Sequence, residues 1–305
     1  MRVRAICTVM ALLGLGACAA TVPSAGNCPV ERLARASLES RANLLFLTAA
    51  IDGLPVRLLI DTGAERTTLT EEAVQRLGLA RDPHALTQMR GIGDATTSFD
   101  AKTHTLIFGT AQFSGLNMTV GRFATNEIAG ATFDGLLGTD ILASFDVEID
   151  SAAGQVSLYR PRPCADATPP WALPYLIIEG TGPPRGRMSL PIELDGIAGV
   201  AVLDTGAQIT TVSERLALRA GVTANMLAQD PRSVAKGASP NVVAAHAHRF
   251  RDLRIGPTLV HAPMLAVLPM SDTRAEALLG GDYLHGHPVW LSFASRHVFL
   301  GPESP

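Results

Sequence analysis

The chain has 305 residues, more than one compact core ordinarily serves, so two units of domain size are the default expectation. With 47% apolar and 17% charged residues and a formal net charge of −3, the composition fits a globular protein with a core to bury. It lacks the basic field that draws nucleic acid, and at 5% aromatic residues it has too few rings to stack single strands.

Residues 1–19 read as a targeting segment, because Arg2 and Arg4 precede an apolar run over 5–15 and small residues follow. The run is too short for a bilayer-spanning helix. It ends in LGAC, which resembles the lipobox of bacterial lipoproteins and would make Cys18 the lipidated first residue. The overlapping Ala17-Cys18-Ala19 fits an ordinary signal-peptidase site instead. Either alternative exports the mature chain, to the periplasm or to a membrane surface through a lipid on Cys18. Cys7 leaves with the signal, so Cys28 and Cys164 remain as one pair. A disulfide between them is expected in an oxidising compartment, ahead of two unpaired core thiols.

From residue 44 onward the pattern is that of strands. An apolar strand over 44–51 reaches the hairpin turn Asp52-Gly53, and a second over 56–60 runs into LLIDTGAERTTL at 58–69. A short helix follows, N-capped near Thr70 and stopped by Gly78. GLLGTDIL then brings Gly138, and GQVSLYRP closes the unit with a strand. Next comes PRPCADATPPWALP, whose prolines suit a stiff connector.

After the connector the same text returns as AVLDTGAQITTV at 201–212. Sliding the chain by 143 residues, the separation of Thr62 and Thr205, sets Asp52-Gly53 on Asp195-Gly196, Thr67-Thr68 on Thr210-Thr211, and Gly78 on Gly221. ALLGGDYL supplies Gly280, and RHVFLGP closes the second unit. The expected organisation is a first unit over 28–160, a linker over 161–175 and a second unit over 176–303. Each unit is mainly β, with six or more short strands and one or two small helices.

A carboxylate at the end of an apolar strand is a costly choice for a core. Asp61 and Asp204 each occupy that place, followed by Thr62-Gly63-Ala64 or Thr205-Gly206-Ala207. The glycines permit a tight turn, and the threonine hydroxyls can bond to neighbouring backbone. Two such turns in two similar units invite pairing about a pseudo-twofold axis. Carboxylates brought to about 3 Å cannot both stay ionised, so the pair holds one proton and presents an acid beside a base. Water between them can attack a carbonyl with neither metal nor cofactor.

Asp-Thr-Gly-Ala followed by an apolar-apolar-Gly segment (Leu136-Leu137-Gly138; Leu278-Leu279-Gly280) resembles the retropepsin-like aspartic proteases. The exported tandem layout is similar to the bacterial aspartyl proteases with two fused lobes of this kind. The resemblance implies two acid-protease-like β-barrel lobes in one monomeric chain, acting as an endopeptidase on peptide or protein substrates. It makes Asp61 and Asp204 the catalytic dyad, has Thr62 and Thr205 bonding across the axis, and packs Gly138 and Gly280 beneath the loops. Its glycine-bearing flap matches Gly91-Ile92-Gly93 in RGIGD and, more weakly, Gly237 in KGASP. Neither segment has the nearby tyrosine of pepsin-like flaps, and Ala64 and Ala207 stand where pepsin-like enzymes often carry a hydroxyl. Working pH should accordingly lie in mild acid.

Other candidates are weaker. His246-Ala247-His248, His261 and His285-Gly286-His287 lack carboxylate or cysteine partners at ligand spacing and are expected at the surface, not on a metal. Asp140 and Asp282 are expected to cap the helices that follow them. No Gly-x-Ser-x-Gly occurs, so a serine hydrolase is not supported. The alternative from another class is a two-lobed envelope lipoprotein that binds peptides without cutting them; the persistence of both acids and both Thr-Gly pairs separates the readings.

Overall fold

The computed structural model describes residues 30–303 apart from 92–94, 124, 129, 162–167, 173, 184, 238 and 271–274. Cys18, Cys28, Cys164, Ile92 and Gly93 lie outside the described residues, and with them the lipid, the disulfide and most of the first flap tip.

The chain is mainly β and is built twice over. In the first half, Leu44–Ile51 and Leu54–Ile60 form a hairpin through Asp52-Gly53. Both turn residues have left-handed backbone, φ 50° and 81°, as a two-residue hairpin of this hand requires. The Asp52 carboxylate also accepts the amides of His104 and Thr105 at 2.9 and 2.7 Å, pinning the turn to the strand Ala95–Phe108. Asp195-Gly196 repeats the device on Arg251 and Asp252 at 2.9 and 2.8 Å.

Past the Asp61 turn, Thr68–Thr70 leads into the helix Glu71–Leu77. The Thr70 hydroxyl caps it by accepting from the Ala73 amide at 3.1 Å, and Gly78 at φ 66° ends it. Ser213 caps Glu214–Arg219 in the same way; there the last turn closes on Ala220, one residue before Gly221. The second half adds a helix the sequence pattern did not announce, Ala224–Gln229, capped by Thr223. The first half has Pro83 in the corresponding region and continues as the strand Arg81–Arg90.

Each half then threads a short strand through its own centre. Gly135–Leu137 lies between Leu54–Ile60, to which it runs parallel, and Thr68–Thr70, to which it runs antiparallel. Ala277–Leu279 sits likewise between Ile197–Leu203 and Thr211–Ser213. These strands are buried on both faces, which is why they read as unbroken apolar runs. Each fully buried Leu or Ile contributes about 1.5–3 kcal/mol of burial energy.

The halves meet in a run of strands at one end of the 13-stranded sheet, ordered Leu176–Glu179, His297–Leu300, Pro288–Ser292, Asp146–Asp150, Gln155–Tyr159 and Arg32–Arg41. At its centre Glu148 pairs with Trp290, with Asp146 on Ser292 and Asp150 on Pro288. Glu148 and Trp290 hold equivalent places in the two repeats, so the pseudo-twofold axis passes between them. The Glu148 carboxylate accepts from the Tyr159 hydroxyl and the Trp171 indole, both at 2.6 Å, and thereby ties the connector to this layer.

Among the histidines, His248 departs from expectation. It is buried, because its strand Ser239–Arg249 sets it opposite Leu265 in the neighbouring strand, and its Nδ1 lies 2.7 Å from Asp230.

Candidate active site

Asp61 and Asp204 are placed by the threaded strands. The Asp61 amide donates to the Leu137 carbonyl at 3.0 Å and the Asp204 amide to the Leu279 carbonyl at 2.9 Å, so each turn springs from the end of a buried three-strand layer. Within each turn the carboxylate folds back onto its own backbone. Asp61 Oδ1 accepts the amides of Gly63 and Ala64 at 2.9 and 2.8 Å; Asp204 Oδ1 accepts those of Gly206 and Ala207 at 2.9 and 3.1 Å.

The two turns are locked to each other by their threonines. The Thr62 hydroxyl donates to the Leu203 carbonyl at 2.7 Å and accepts the Thr205 amide at 3.1 Å. The Thr205 hydroxyl donates to the Ile60 carbonyl at 2.8 Å and accepts the Thr62 amide at 3.1 Å. Both side chains are buried, so loss of either hydroxyl would leave a backbone donor and acceptor unpaired at about 1–3 kcal/mol each.

This lock brings the carboxylates together. A Cβ on Gly63 would lie 2.4–2.6 Å from the carboxylate atoms of Asp204, and one on Gly206 would lie 2.5–2.7 Å from those of Asp61. Each acid therefore occupies the space that any other residue would need in the opposite turn. Neither glycine has positive φ; their role is room, not backbone freedom. The aspartates face each other across the two turns and remain half-buried, so water can reach them while the surrounding protein desolvates their charge. Burial, then the Asp204 charge, holds the Asp61 carboxyl well above the usual carboxylate range. Burial also raises Asp204, against the opposing hydrogen bonds and the Arg187 guanidinium.

Gly138 and Gly280 lie against the outer arms of the turns, where a Cβ would come within 2.6 Å of the Arg66 carbonyl carbon or 2.5 Å of that of Ile209. Their amides donate to the hydroxyls of Thr67 and Thr210 at 3.1 and 3.2 Å. Asp140 and Asp282 are not the helix caps expected of them, because each lies inside its short helix. The N-cap positions are Gly138 and Gly280, and each acid accepts both the amide and the hydroxyl of Thr67 or Thr210 at 2.7–2.8 Å. They brace the two Asp-Thr-Gly-Ala turns from below. Their repeated place after Leu-Leu-Gly marks them as equivalent without pointing to the threonines they hold.

Gly91 follows Arg81–Arg90 at the edge of the first hairpin tip, and Gly237 ends the strand that pairs with Ser239–Arg249 in the second. Arg66 ties the Asp61 loop to the first hairpin through Asp100 at 2.9 Å. Contacts between lobes that the sequence did not reveal are Arg187 to Glu65 at 3.3 Å, and Asn43 Nδ2 to the Gln208 carbonyl with Gln208 Nε2 to the Ala42 carbonyl, each at 3.3 Å. Among the described residues no group of three or more His, Cys, Asp or Glu side chains could hold a metal ion.

The aspartyl protease family profile matches residues 47–141 and again 190–283, one match in each half and each containing one of the two acids. Over 130 residues the chain is 26% identical to DNA damage-inducible protein 1 of Phaeosphaeria nodorum, a stretch that makes up 40% of this chain and 27% of that relative. The match thus spans little more than a quarter of the relative's length. With one profile matched twice across more than half of its residues, around two facing Asp-Thr-Gly-Ala turns, the chain belongs to the aspartyl protease family.

Proposed function

We propose that the protein is an aspartic endopeptidase that cleaves peptide bonds with a water held between Asp61 and Asp204. The observation that carries this reading is a pair of half-buried carboxylates, each filling the space over the other's glycine and each with raised proton affinity. Such a pair retains one proton over a working pH range and offers base and acid to the same water. A buried pair of like charges costs stability, which supports a catalytic use over a merely structural one. A statine-type transition-state mimic should bind the wild-type chain and lose most of its affinity for Asp204→Asn. Equal binding to both proteins would count against the reading.

The pH profile of kcat/KM should be bell-shaped and centred at about pH 4–6. The amides of Ala64 and Ala207 donate to the carboxylates, while their methyl groups offer no further donor. In Ala64→Ser an added hydroxyl bond to the ionised form would move the acidic limb downward. A limb that stays in place in that variant would refute this role of the missing hydroxyl.

Residues 1–19 support an envelope location, with Cys18 as the lipid-bearing first residue. The intact mass of the processed protein should be that of a chain beginning at Cys18 plus acyl groups; an unmodified chain beginning elsewhere would remove the anchor.

A further inference from the structure

The two catalytic turns match in sequence but have unlike neighbours. In the second half Ser189 pairs with Val202, and the Leu203 amide donates to the Met188 carbonyl at 2.9 Å. One step further, this register sets Arg187 opposite Asp204. In the first half Phe46 pairs with Leu59, and the same register sets Leu44, fully buried, opposite Asp61. Residues directly opposite in an antiparallel pair have Cβ atoms about 4.5–5.5 Å apart. Continued past the end of each ladder, the register thus places Arg187 across from one acid of the dyad and Leu44 across from the other.

The Arg187 side chain is 19% exposed and reaches across the lobe boundary to Glu65 on the Asp61 loop, Nε to Oε1 3.3 Å. At the pseudo-symmetric place the interlobe contact is neutral, made by Gln208 with Ala42 and Asn43. Among the described residues, the charged groups facing Asp204 are Asp61 from the opposite turn, Arg187 along the ladder and, behind Arg187, Glu65. Arg296 joins the same segment through the carbonyls of Arg187, at 2.8 Å, and Thr181. Arg187 thus puts a cation beside one acid of the pair, where the pseudo-symmetric place beside the other holds Leu44.

We propose that Arg187 is a positioning residue that polarises the dyad, holding Asp204 as the carboxylate base and leaving the shared proton on Asp61. This rests on the peptidase reading. The attacking water gives its proton to Asp204, its oxygen bonds the carbonyl carbon, and the carbonyl oxygen takes the proton of Asp61 to form a gem-diol. Collapse returns one hydroxyl proton to Asp61, breaks the C–N bond and carries the Asp204 proton to the leaving amine. The Arg187 charge opposes the rise in Asp204 proton affinity that burial imposes.

The test compares pH profiles of kcat/KM for wild type, Arg187→Leu, Arg187→Lys and Glu65→Gln. A nearby cation favours the more ionised form at both steps of the pair, so its loss in Arg187→Leu should move both limbs upward by about one pH unit. Arg187→Lys should restore them. Glu65→Gln leaves the cation and removes its counter-charge, so its limbs should move downward by a smaller amount. A clasp that merely held the lobes together would be broken by both neutral variants alike, with limbs unmoved or moved the same way; either result overturns the proposal. If Arg187→Leu does not fold, the downward shift in Glu65→Gln remains decisive. The 13Cγ resonances of Asp61 and Asp204 give the same information without turnover. Absent cleavage with resonances that shift as stated would refute the peptidase reading alone, whereas unmoved resonances in the folded variants refute the polarisation.

Discussion

Asp61→Asn and Asp204→Asn should each lower kcat/KM by at least about a thousandfold, because each removes one of the two proton-transfer partners on which the attack depends. The same variants should not be less stable at neutral pH. Burial and the Asp204 charge hold the Asp61 carboxyl above its ordinary range, so the folded state binds a proton more tightly than the unfolded chain does. Such a group favours folding at low pH, and that advantage is lost as pH rises from the ordinary carboxylate range through the raised value. Asp61→Asn deletes the loss. Its unfolding midpoint at pH 7 should equal or exceed that of wild type, with the difference shrinking in acid. A variant that keeps wild-type turnover, or that is inactive only because it is unfolded, contradicts this account of the site.

Gly63→Ala should abolish activity for a steric reason. The new methyl would sit 2.4–2.6 Å from the Asp204 carboxylate, a group whose place is already fixed by the amides of Gly206 and Ala207. One turn must retreat, and displacement of a reacting group by about 1 Å costs on the order of a hundredfold in rate. Overpacking at such a site also costs about 1–3 kcal/mol of stability. Gly53→Ala is the control. It lies at φ 81° with open space around it, so it should cost about 1 kcal/mol through backbone strain and leave turnover unchanged. Activity in Gly63→Ala comparable to that of Gly53→Ala would show that the turns are not packed against each other's carboxylates.

The elements that sequence disclosed are those fixed by local backbone chemistry. Asp52-Gly53 and Asp195-Gly196 form hairpin turns because their left-handed geometry suits these residues, and Thr70 and Ser213 cap helices because a hydroxyl there meets a free amide. The Asp-Thr-Gly-Ala turns were legible for the same reason, and their repetition foretold the pairing. What stayed hidden depends on residues far apart in the chain. Arg187 and Glu65 carry no periodic signal and acquire meaning only when the lobes close. The bracing by Asp140 and Asp282 needs a threonine 73 or 72 residues away. Leu176–Glu179, four residues in a Pro-rich neighbourhood, becomes a strand only because His297–Leu300 offers it an edge.

The most direct measurement of the central claim is cleavage of a fluorogenic peptide library by the purified full chain from pH 3 to pH 8, over a range of protein concentrations, with Asp61→Asn as control. Because one chain supplies both acids, specific activity should be independent of concentration, follow a bell in mild acid and vanish in the control. Cleavage that persists in Asp61→Asn, or that appears only where chains associate, would contradict a dyad assembled from the two halves of a single molecule.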